Sequence, residues 1–326
     1  MNTLLKIENI SKCFSASEGL FFKTNKKVRA LDKVSFDIKK GEILGIVGES
    51  GCGKSTLGRV ILRLLDADSG NIYFDGNDIL SLSKAEMREV RRDMQIVFQD
   101  PFASLNPRMR VAELIGEPLR LHGLKDIHEI NRRVEEITQL VGLDKYHLDK
   151  YPHEFSGGQR QRICIARALI LKPKLVICDE AVSALDVSIQ SQIINLLNDL
   201  KDELGLTYMF ISHDLSVVKH ISDRVGVMYL GKIVEITSVE NIFSKPKHPY
   251  TQALISAIPV PDPNVKKERI ILKGDMPDPL NILKGCRFHM RCIHAEERCG
   301  RIEPELKVNK KGHFVACHLT DKIKKI

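Results

Sequence analysis

Short apolar segments separated by turns fill the first hundred residues. Apolar and polar positions alternate along Leu4–Ile10 and Val34–Ile38, which predicts strands with one buried face. The run Ile43–Val47 is apolar throughout, as expected of a central parallel strand that is covered on both sides. A glycine-rich segment and a helix-like pattern over Ser55–Leu65 follow that strand. This part of the chain therefore predicts an α/β fold.

The pattern changes twice further along the chain. Residues 84–172 are charged and helix-rich, with a Pro- and Asn-bearing loop at Asp100–Pro107, and predict a helical insertion in the α/β core. Seven prolines between residues 245 and 280 predict a linker. Between these two regions strands and a helix alternate, at Leu175–Cys178, Ile189–Leu204, Tyr208–Ser212, Val225–Tyr229 and Lys232–Glu235.

Composition limits the class of protein. With 326 residues, 43% hydrophobic and 28% charged, the chain resembles an ordinary globular protein with one large domain and an appendage. No apolar run reaches the roughly 18 residues of a membrane span, and the N-terminal segment has an acid where a secretory signal would not, so we expect a cytoplasmic protein. The net charge of +8 predicts an anionic partner without choosing between nucleotide, nucleic acid and membrane surface.

A phosphate-binding loop follows the apolar strand. Residues 48–56, called the phosphate loop below, fit the pattern G-x-x-x-x-G-K-[ST], whose glycines let successive backbone N–H groups face phosphate oxygens. Lys54 would bridge the β- and γ-phosphates, and Ser55 would ligate Mg²⁺. The remaining nucleotide-binding candidates in this loop are Ser50, Gly51, Cys52, Gly53 and Thr56.

Polar residues also follow three other predicted strands. Asp179 and Glu180 end an apolar strand, where Asp179 suits Mg²⁺ and Glu180 suits a general base. The alternative for this acidic pair is a helix N-cap. His213 and Gln99 each follow a strand; His213 could stabilise developing charge, and Gln99 could contact Mg²⁺ and water. A structural histidine is the alternative for His213.

The run 155–162, Phe-Ser-Gly-Gly-Gln-Arg-Gln-Arg, predicts a second anion site. Its glycines and the start of an arginine-rich helix offer free backbone N–H groups. The alternative is a helix capped by Ser156 after a Gly-Gly turn. Because the chain already has one phosphate loop, a second anion site suggests another nucleotide or another chain.

Together these motifs resemble the ATP-binding subunits of ABC transporters, over roughly residues 4–250. The motifs occur in the family's order: Walker A at 48–56, the Q-loop at Gln99, the signature at 156–159, Walker B at 175–179 with the catalytic Glu180, the D-loop at 183–186 and the switch His213. Phe155 stands where the signature commonly has leucine.

The resemblance implies a fold and a way of working. It implies a P-loop NTPase with a RecA-like core, an antiparallel β subdomain and a helical subdomain at about 88–172, in an ATP-binding domain over 1–244. Two such domains close head to tail, so Ser156, Gly158 and Gln159 would act on ATP held by another chain. Adenine would stack on Phe14 near Val28, although the insertion Ser15–Lys27 separates these two residues.

Two further stretches and a C-terminal cysteine module resemble the dipeptide/oligopeptide importer subfamily. The stretches are Gln99–Arg108 and Lys247–Leu254, the latter with His-Pro-Tyr. This resemblance implies a C-terminal extension over 245–326, a heterodimer with a related ATPase subunit, two permease subunits, an extracytoplasmic substrate-binding protein and a place at the cytoplasmic face of the membrane. Dipeptides, longer peptides, nickel and other small solutes all remain open as substrates.

Four cysteines lie within the last fifty residues, at Cys286, Cys292, Cys299 and Cys317. Their C-x5-C-x6-C-x17-C spacing lacks the close pairs of a zinc ribbon, although histidines lie nearby. Loose spacing suits a [4Fe–4S] cluster, and the subfamily resemblance favours a structural cluster in a small metal-bound module. Zinc and free thiols remain the alternatives.

Two functions of other classes are the alternatives to transport. One is an ABC ATPase acting on nucleic acid, and the other is a regulatory ATPase whose cysteine cluster senses iron or redox state. The chain has one ATP-binding cassette and no sustained heptads, whereas nucleic-acid members carry tandem cassettes or long coiled coils. We therefore predict an ATP-hydrolysing importer subunit that does not bind nucleic acid.

Overall fold

The structure is a computed structural model that describes residues 2–15, 27–259, 269–274, 276–277, 280, 284–310 and 312–320. Most of the predicted insertion Ser15–Lys27 lies outside the described residues, as do 260–268, 275 and 278–279 of the predicted linker. The described strands are β1 Thr3–Ser15, β2 Lys27–Lys39, β3 Ile43–Val47, β4 Ser69–Phe74, β5 Asn77–Asp78, β6 Met94–Val97, β7 Leu175–Asp179, β8 Thr207–Ser212, β9 Arg224–Tyr229, β10 Lys232–Ser238, β11 Lys307–Lys310 and β12 His313–Val315.

The described helices have these bounds: α1 Lys54–Ile61, α2 Lys84–Asp93, α3 Pro101–Ser104, α4 Val111–Leu121, α5 Ile127–Leu140, α6 Gly157–Leu169, α7 Val187–Leu204, α8 Leu215–Ile221, α9 Val239–Ser244, α10 Pro249–Ser256 and α11 Glu297–Arg301. The described residues form two compact units, the first within 1–3, 38–43 and 81–212, the second within 4–37, 44–80 and 213–326. No helix in the described ranges has both the length and the apolar character that a membrane crossing requires.

In the first unit, three parallel strands carry the predicted polar residues at one edge. β6 pairs with β7, and β7 pairs with β8 up to Asp179 opposite Ile211. β7 and β8 are buried along their whole length, as the apolar runs predict. Gln99 and Glu180 follow β6 and β7, so both lie at the carboxyl edge, where parallel sheets bind ligands.

The remainder of the first unit is mainly helical. α6 packs against α3, α4 and α5, and most of its circumference is buried, including Ile163, Cys164 and Ile165. α2 begins with a capping box in which Ser83 and Glu86 exchange hydrogen bonds, as the polar residue before an amphipathic helix favours.

The second unit contains two groups of strands. In the first group the order is β2-β1-β4-β5, with β1 and β4 antiparallel. In the second group β11, β12, β10, β9 and β3 follow one another; β3 and β9 are parallel, and the other pairings are antiparallel. The C-terminal hairpin β11–β12 thus extends the strands that lead to the phosphate loop.

Three predicted boundaries need correction. The helix after the phosphate loop ends at Ile61 rather than Leu65, because Leu64 and Leu65 both donate backbone hydrogen bonds to Arg59 and the chain turns. The predicted loop Asp100–Pro107 includes the one-turn helix α3, which Asp100 caps by accepting from two backbone N–H groups. The helix predicted at Ile189–Leu204 begins earlier, at Val187.

The prediction of a linker at 245–280 is wrong over Pro249–Ser256, which form the buried helix α10. Proline at its first position is favourable because the backbone N–H of a first helical residue has no acceptor within the helix, so its absence costs no hydrogen bond. His248 caps the helix with Nδ1, which accepts from the N–H of Tyr250 at 3.1 Å. Burial lowers the pKa of His248 to about 4, so its ring stays a neutral acceptor at pH 7.

Candidate functional site

The phosphate loop owes its tight path to glycines that no other residue could replace. A Cβ added to Gly48 would lie 2.2 Å from the backbone oxygen of Met228. Gly53, with φ of 106°, caps α1, and its Cβ would lie 2.3 Å from the backbone oxygen of Ala30. Backbone atoms cannot yield as side chains do, so this close approach requires glycine.

Lys54 turns its ammonium group back over the phosphate loop. It is the first residue of α1 and is buried, and its Nζ donates to the backbone oxygens of Gly48 at 2.8 Å and Glu49 at 3.1 Å. Ser55 and Thr56 follow in the first turn of the helix, half-buried. Cys52 is buried, and burial raises the pKa of its thiol, in accord with a position that supplies backbone.

Gln99 and Glu180 meet at the carboxyl edge of the first unit. Nε2 of Gln99 donates to Oε2 of Glu180 at 3.1 Å and to Oγ of Ser183 at 3.5 Å. Glu180 has φ of 50°, a left-handed conformation that costs a non-glycine residue about 1–2 kcal/mol. The backbone N–H of Glu180 donates to the backbone oxygen of Ile211, and the backbone oxygen of Glu180 accepts from the N–H and Oγ of Ser183. These bonds fix the backbone of Glu180, and Gln99 holds its carboxylate.

Asp179 directly precedes Glu180 and is buried at the end of β7. The helix N-cap considered for this acidic pair does not form, because α7 begins eight residues later, at Val187, with Asp186 as its N-cap residue. Asp179 thus lies at the carboxyl end of a parallel strand, where such sheets bind ligands.

The signature run caps α6 as its alternative interpretation predicted. Oγ of Ser156 accepts from the N–H of Gln159 at 3.4 Å, and Oε1 of Gln159 accepts from the N–H of Ser156 at 3.1 Å. Ser156 is nevertheless exposed, and a Cβ on Gly158 would lie 2.5 Å from Cγ2 of Ile189, in α7. Phe155 is buried against His147, so it fills an apolar packing position.

Three further candidates lie in the second unit. His213 directly follows β8 and is exposed, and the next residue, Asp214, caps α8 by accepting from Ser216 at 2.7 Å. Phe14, near the end of β1, is 38% exposed, and Nζ of Lys12 lies over its ring, 5.7 Å from the ring centre. Val28 is half-buried near the start of β2.

The four C-terminal cysteines converge although they are spread over the module. All four line one small apolar cavity of about 10 Å³, together with Phe288, His248, Pro249, His289, His318 and Leu319. All four of these cysteines have free thiols. Burial, and then the neighbouring thiols, raise the pKa of Cys286 to about 12. Within the described residues, however, no three His, Cys, Asp or Glu side chains are arranged to hold a metal ion.

Sequence reasoning missed the residues that contact Glu49 in the phosphate loop. Tyr250 and Arg291 both bond to it, from positions far along the chain. The sequence offered one weak signal, since two arginines flank an aromatic residue between Cys286 and Cys292.

Three features define a P-loop ATPase of the ABC class. They are the phosphate loop, the two acidic residues at the end of β7, and a glutamine that is hydrogen-bonded to the second of these acids. The chain matches the ABC transporter family over residues 31–183 and the C-terminal region of oligopeptide/dipeptide transporters over 234–299. It is 55% identical to the oligopeptide transport ATP-binding protein AppF of Bacillus subtilis, with 97% of both chains covered. It is 48% identical to OppF of Haemophilus influenzae, with 96% of both covered.

Solved structures of ATP-binding cassettes are also similar to this chain. A dimeric ATP-binding cassette, MJ0796, bound to ADP and Pi matches with a TM-score of 0.64 and 30% identity, over 72% of this chain and 99% of that one. The cbiO1 protein of Clostridium perfringens matches with a TM-score of 0.65 and 30% identity, over 75% of this chain and 92% of that one. The chain therefore belongs to the ABC transporter family, in the group that carries the oligopeptide/dipeptide transporter C-terminal region. Neither the nucleic-acid nor the iron-sensing alternative is favoured by these relatives.

Proposed function

We propose that this protein is the ATP-hydrolysing subunit of an ABC importer that drives uptake of dipeptides or oligopeptides across the cytoplasmic membrane. The observation that carries the ATPase is the hydrogen bond between Gln99 and Glu180, which holds a carboxylate at the edge where a parallel sheet binds nucleotide. The match of residues 234–299 to the oligopeptide/dipeptide transporter C-terminal region supports the substrate class.

The phosphate loop binds the ATP phosphates in this proposal. Lys54 lies at the start of α1 with its ammonium group over the loop, so a γ-phosphate can replace the backbone oxygens that it now contacts. The backbone of residues 50–53, with the first turn of α1 through Thr56, surrounds the phosphates. Phe14 stacks on the adenine, and Val28 packs beside the ring.

Glu180 orients and deprotonates the attacking water, and His213 donates to the charge that develops on the γ-phosphate. The hydroxyl of Ser55, the carboxylate of Asp179 and the amide oxygen of Gln99 are the hard oxygen donors that Mg²⁺ prefers. When bound, Mg²⁺ neutralises charge on the phosphate oxygens. Gln99 touches Glu180 through its amide nitrogen, which leaves its oxygen for that cation.

Ser156, Gly158 and Gln159 complete the site of a second ATPase subunit, because the family's domains close head to tail. We propose a heterodimer with a related subunit, bound to two permease subunits at the cytoplasmic face of the membrane. A substrate-binding protein outside the membrane delivers the peptide.

Reconstitution tests the transport function. The chain would be co-purified with its permease subunits and its partner ATPase in vesicles, and peptide uptake measured with ATP. We expect uptake that stops when Glu180→Gln is introduced. Peptide-independent ATP hydrolysis, with no uptake for any peptide length tested, would contradict the peptide importer.

We also propose a [4Fe–4S] cluster held by the four C-terminal cysteines, with zinc as the alternative. Thiols are the ligands that such clusters take, and all four line one cavity. About 10 Å³ accommodates roughly one water, so binding a cluster would require these side chains to move apart. Bound there, the cluster would cross-link four points of a module with a small apolar core.

Anaerobic purification distinguishes the two metals. A brown protein with about four irons per chain supports the cluster. A colourless protein with one zinc per chain supports zinc instead, and a protein with neither metal contradicts both. Cys292→Ser should remove the metal, whereas Cys164→Ser, a buried cysteine of the first unit, serves as the matched control.

A further inference from the structure

Glu49, the second residue of the phosphate loop, is held at two points by the C-terminal part of the chain. Its backbone N–H donates to the hydroxyl of Tyr250 at 2.9 Å. Its carboxylate accepts two hydrogen bonds from the guanidinium of Arg291, at 2.8 and 3.2 Å. The two contacts span 201 and 242 residues of sequence, so one depends on the position of α10 and the other on the folded cysteine module.

The pair between Arg291 and Glu49 is sheltered from water. The exposed fractions of the two side chains are 10% and 27%. A bidentate arginine–carboxylate pair that is largely buried is stronger and more directional than an exposed ion pair. Arg291 also lies 3.5 Å from the hydroxyl of Tyr229, which further fixes the guanidinium.

An aromatic cluster fixes the side chains that make these contacts. Phe288 meets the ring of Tyr229 edge-on at 5.3 Å and lies 5.4 Å from the ring of Tyr250. Tyr229 and Tyr250 lie 4.7 Å apart, and all three rings are buried. The hydroxyl of Tyr250 therefore has little freedom to move away from the N–H of Glu49.

A second connection reaches Cys52, in the middle of the phosphate loop. Arg287 bonds to the carboxylate of Asp32 and to the backbone oxygen of Leu230. The next residue, Gly231, donates its N–H to the backbone oxygen of Cys52 at 2.8 Å. Arg287, Phe288 and Arg291 all lie between Cys286 and Cys292. This short segment therefore contacts Glu49 directly and is connected to Cys52 through Leu230 and Gly231.

We infer that Arg291 and Tyr250 are positioning residues for nucleotide binding, which act through Glu49 to preset the phosphate loop. The inference rests on the proposed role of residues 48–56 in binding ATP. Since Nζ of Lys54 bonds to the backbone oxygen of Glu49, a displaced Glu49 also displaces the lysine that meets the γ-phosphate. A loop ordered before binding loses less entropy when ATP arrives, so these contacts raise affinity.

The test measures ATP binding to the full chain by calorimetry, with the melting temperature measured in parallel. Arg291→Ala should raise the Kd for ATP about tenfold, the effect of losing roughly 1.4 kcal/mol of binding energy. Tyr250→Phe removes only the hydroxyl and should raise the Kd in the same direction. Arg301→Ala, which removes an exposed ion pair with Glu297 in the same module, is the matched control and should leave the Kd unchanged.

A double-mutant cycle separates positioning from general destabilisation. Glu49→Ala should weaken ATP binding as Arg291→Ala does, and the double variant should be no weaker than either. A Kd for Arg291→Ala and Tyr250→Phe within about twofold of the parent would overturn the inference, and so would losses that multiply in the double variant. Should Arg291→Ala not fold, Arg291→Lys and Tyr250→Phe carry the same comparison, because both keep the bulk of the side chain.

Lys54→Ala identifies which hypothesis has failed. Loss of ATP binding in Lys54→Ala, with no change in the Arg291 and Tyr250 variants, would refute only the positioning role. Unchanged binding in Lys54→Ala would instead refute the phosphate loop as the ATP site.

Discussion

Nε2 of Gln99 lies 3.1 Å from Oε2 of Glu180, although the two residues are 81 positions apart in the chain. The parallel pairing of β6 with β7 brings together the loops that follow these strands. A loop that leads toward the helical part of the first unit thus touches the proposed general base directly.

Glu180→Gln should lower ATP turnover by about a hundredfold or more while ATP still binds. The amide keeps an oxygen that can accept from Gln99 but cannot take a proton from water, and general bases contribute roughly 10²–10⁴-fold. Steady-state phosphate release and the Kd for ATP would be measured together. Glu203→Gln, an exposed swap in α7, is the control. Undiminished turnover in Glu180→Gln would refute the base assignment.

Ser156→Asp should impair hydrolysis in the assembled transporter without weakening ATP binding by the isolated chain. Aspartate caps helices as well as serine does, so α6 stays intact, but its charge would repel the γ-phosphate of the partner's ATP. We expect a loss of about tenfold or more in transporter turnover. Ser156→Asn is the neutral capping control. Equal loss of ATP binding by the isolated chain would show that Ser156 serves its own nucleotide.

Gly53→Ala should damage the phosphate loop far more than Gly41→Ala damages its turn. Both glycines have positive φ, which costs alanine about 1–2 kcal/mol, but only at Gly53 would the Cβ meet a backbone oxygen, at 2.3 Å. Urea unfolding and ATP binding would be measured for both variants. ATP binding should be lost in Gly53→Ala and kept in Gly41→Ala, and comparable behaviour of the two would contradict the clash.

Asp32 should make the second unit sensitive to acid. Burial by itself raises the pKa of this carboxyl, but the charges of Lys232, Arg287 and Arg29 outweigh burial and hold the pKa below its ordinary value. A carboxyl whose pKa is depressed on folding stabilises the protein above its unfolded pKa, and that stability is lost as pH falls through the folded pKa.

Asp32→Asn should therefore lower the free energy of unfolding by about 2 kcal/mol at pH 7, because it leaves cations without their partner. The difference from the parent should begin to shrink as pH falls below about 4, the ordinary pKa of an aspartate in the unfolded chain, and should vanish below the depressed pKa of folded Asp32. Urea unfolding at pH 7 and in this acidic range measures this. Asp149→Asn, at a side chain 84% exposed, should change little at either pH, and a difference that grows in acid would contradict the sign.

The nucleotide motifs could be predicted from sequence because their chemistry is local. A phosphate loop needs glycines at fixed positions and a lysine at the start of a helix, and the structure places Gly48, Gly53 and Lys54 in that way. Apolar runs likewise predicted β7 and β8, because strands buried on both faces leave no place for polar side chains. Helix ends were less predictable, since the turn after Ile61 depends on backbone bonds rather than on residue type.

The sequence by itself determined the class of this protein, through the order of its motifs and the apolar periods of its strands. Only the tertiary structure decided that α10 is buried within the predicted linker and that Arg291 and Tyr250 hold Glu49. An arginine or a tyrosine carries no record of its partner in its own neighbourhood. The partner is set by long-range strand pairing, such as that of β10 with β12, which brings the C-terminal module into the unit that contains the phosphate loop.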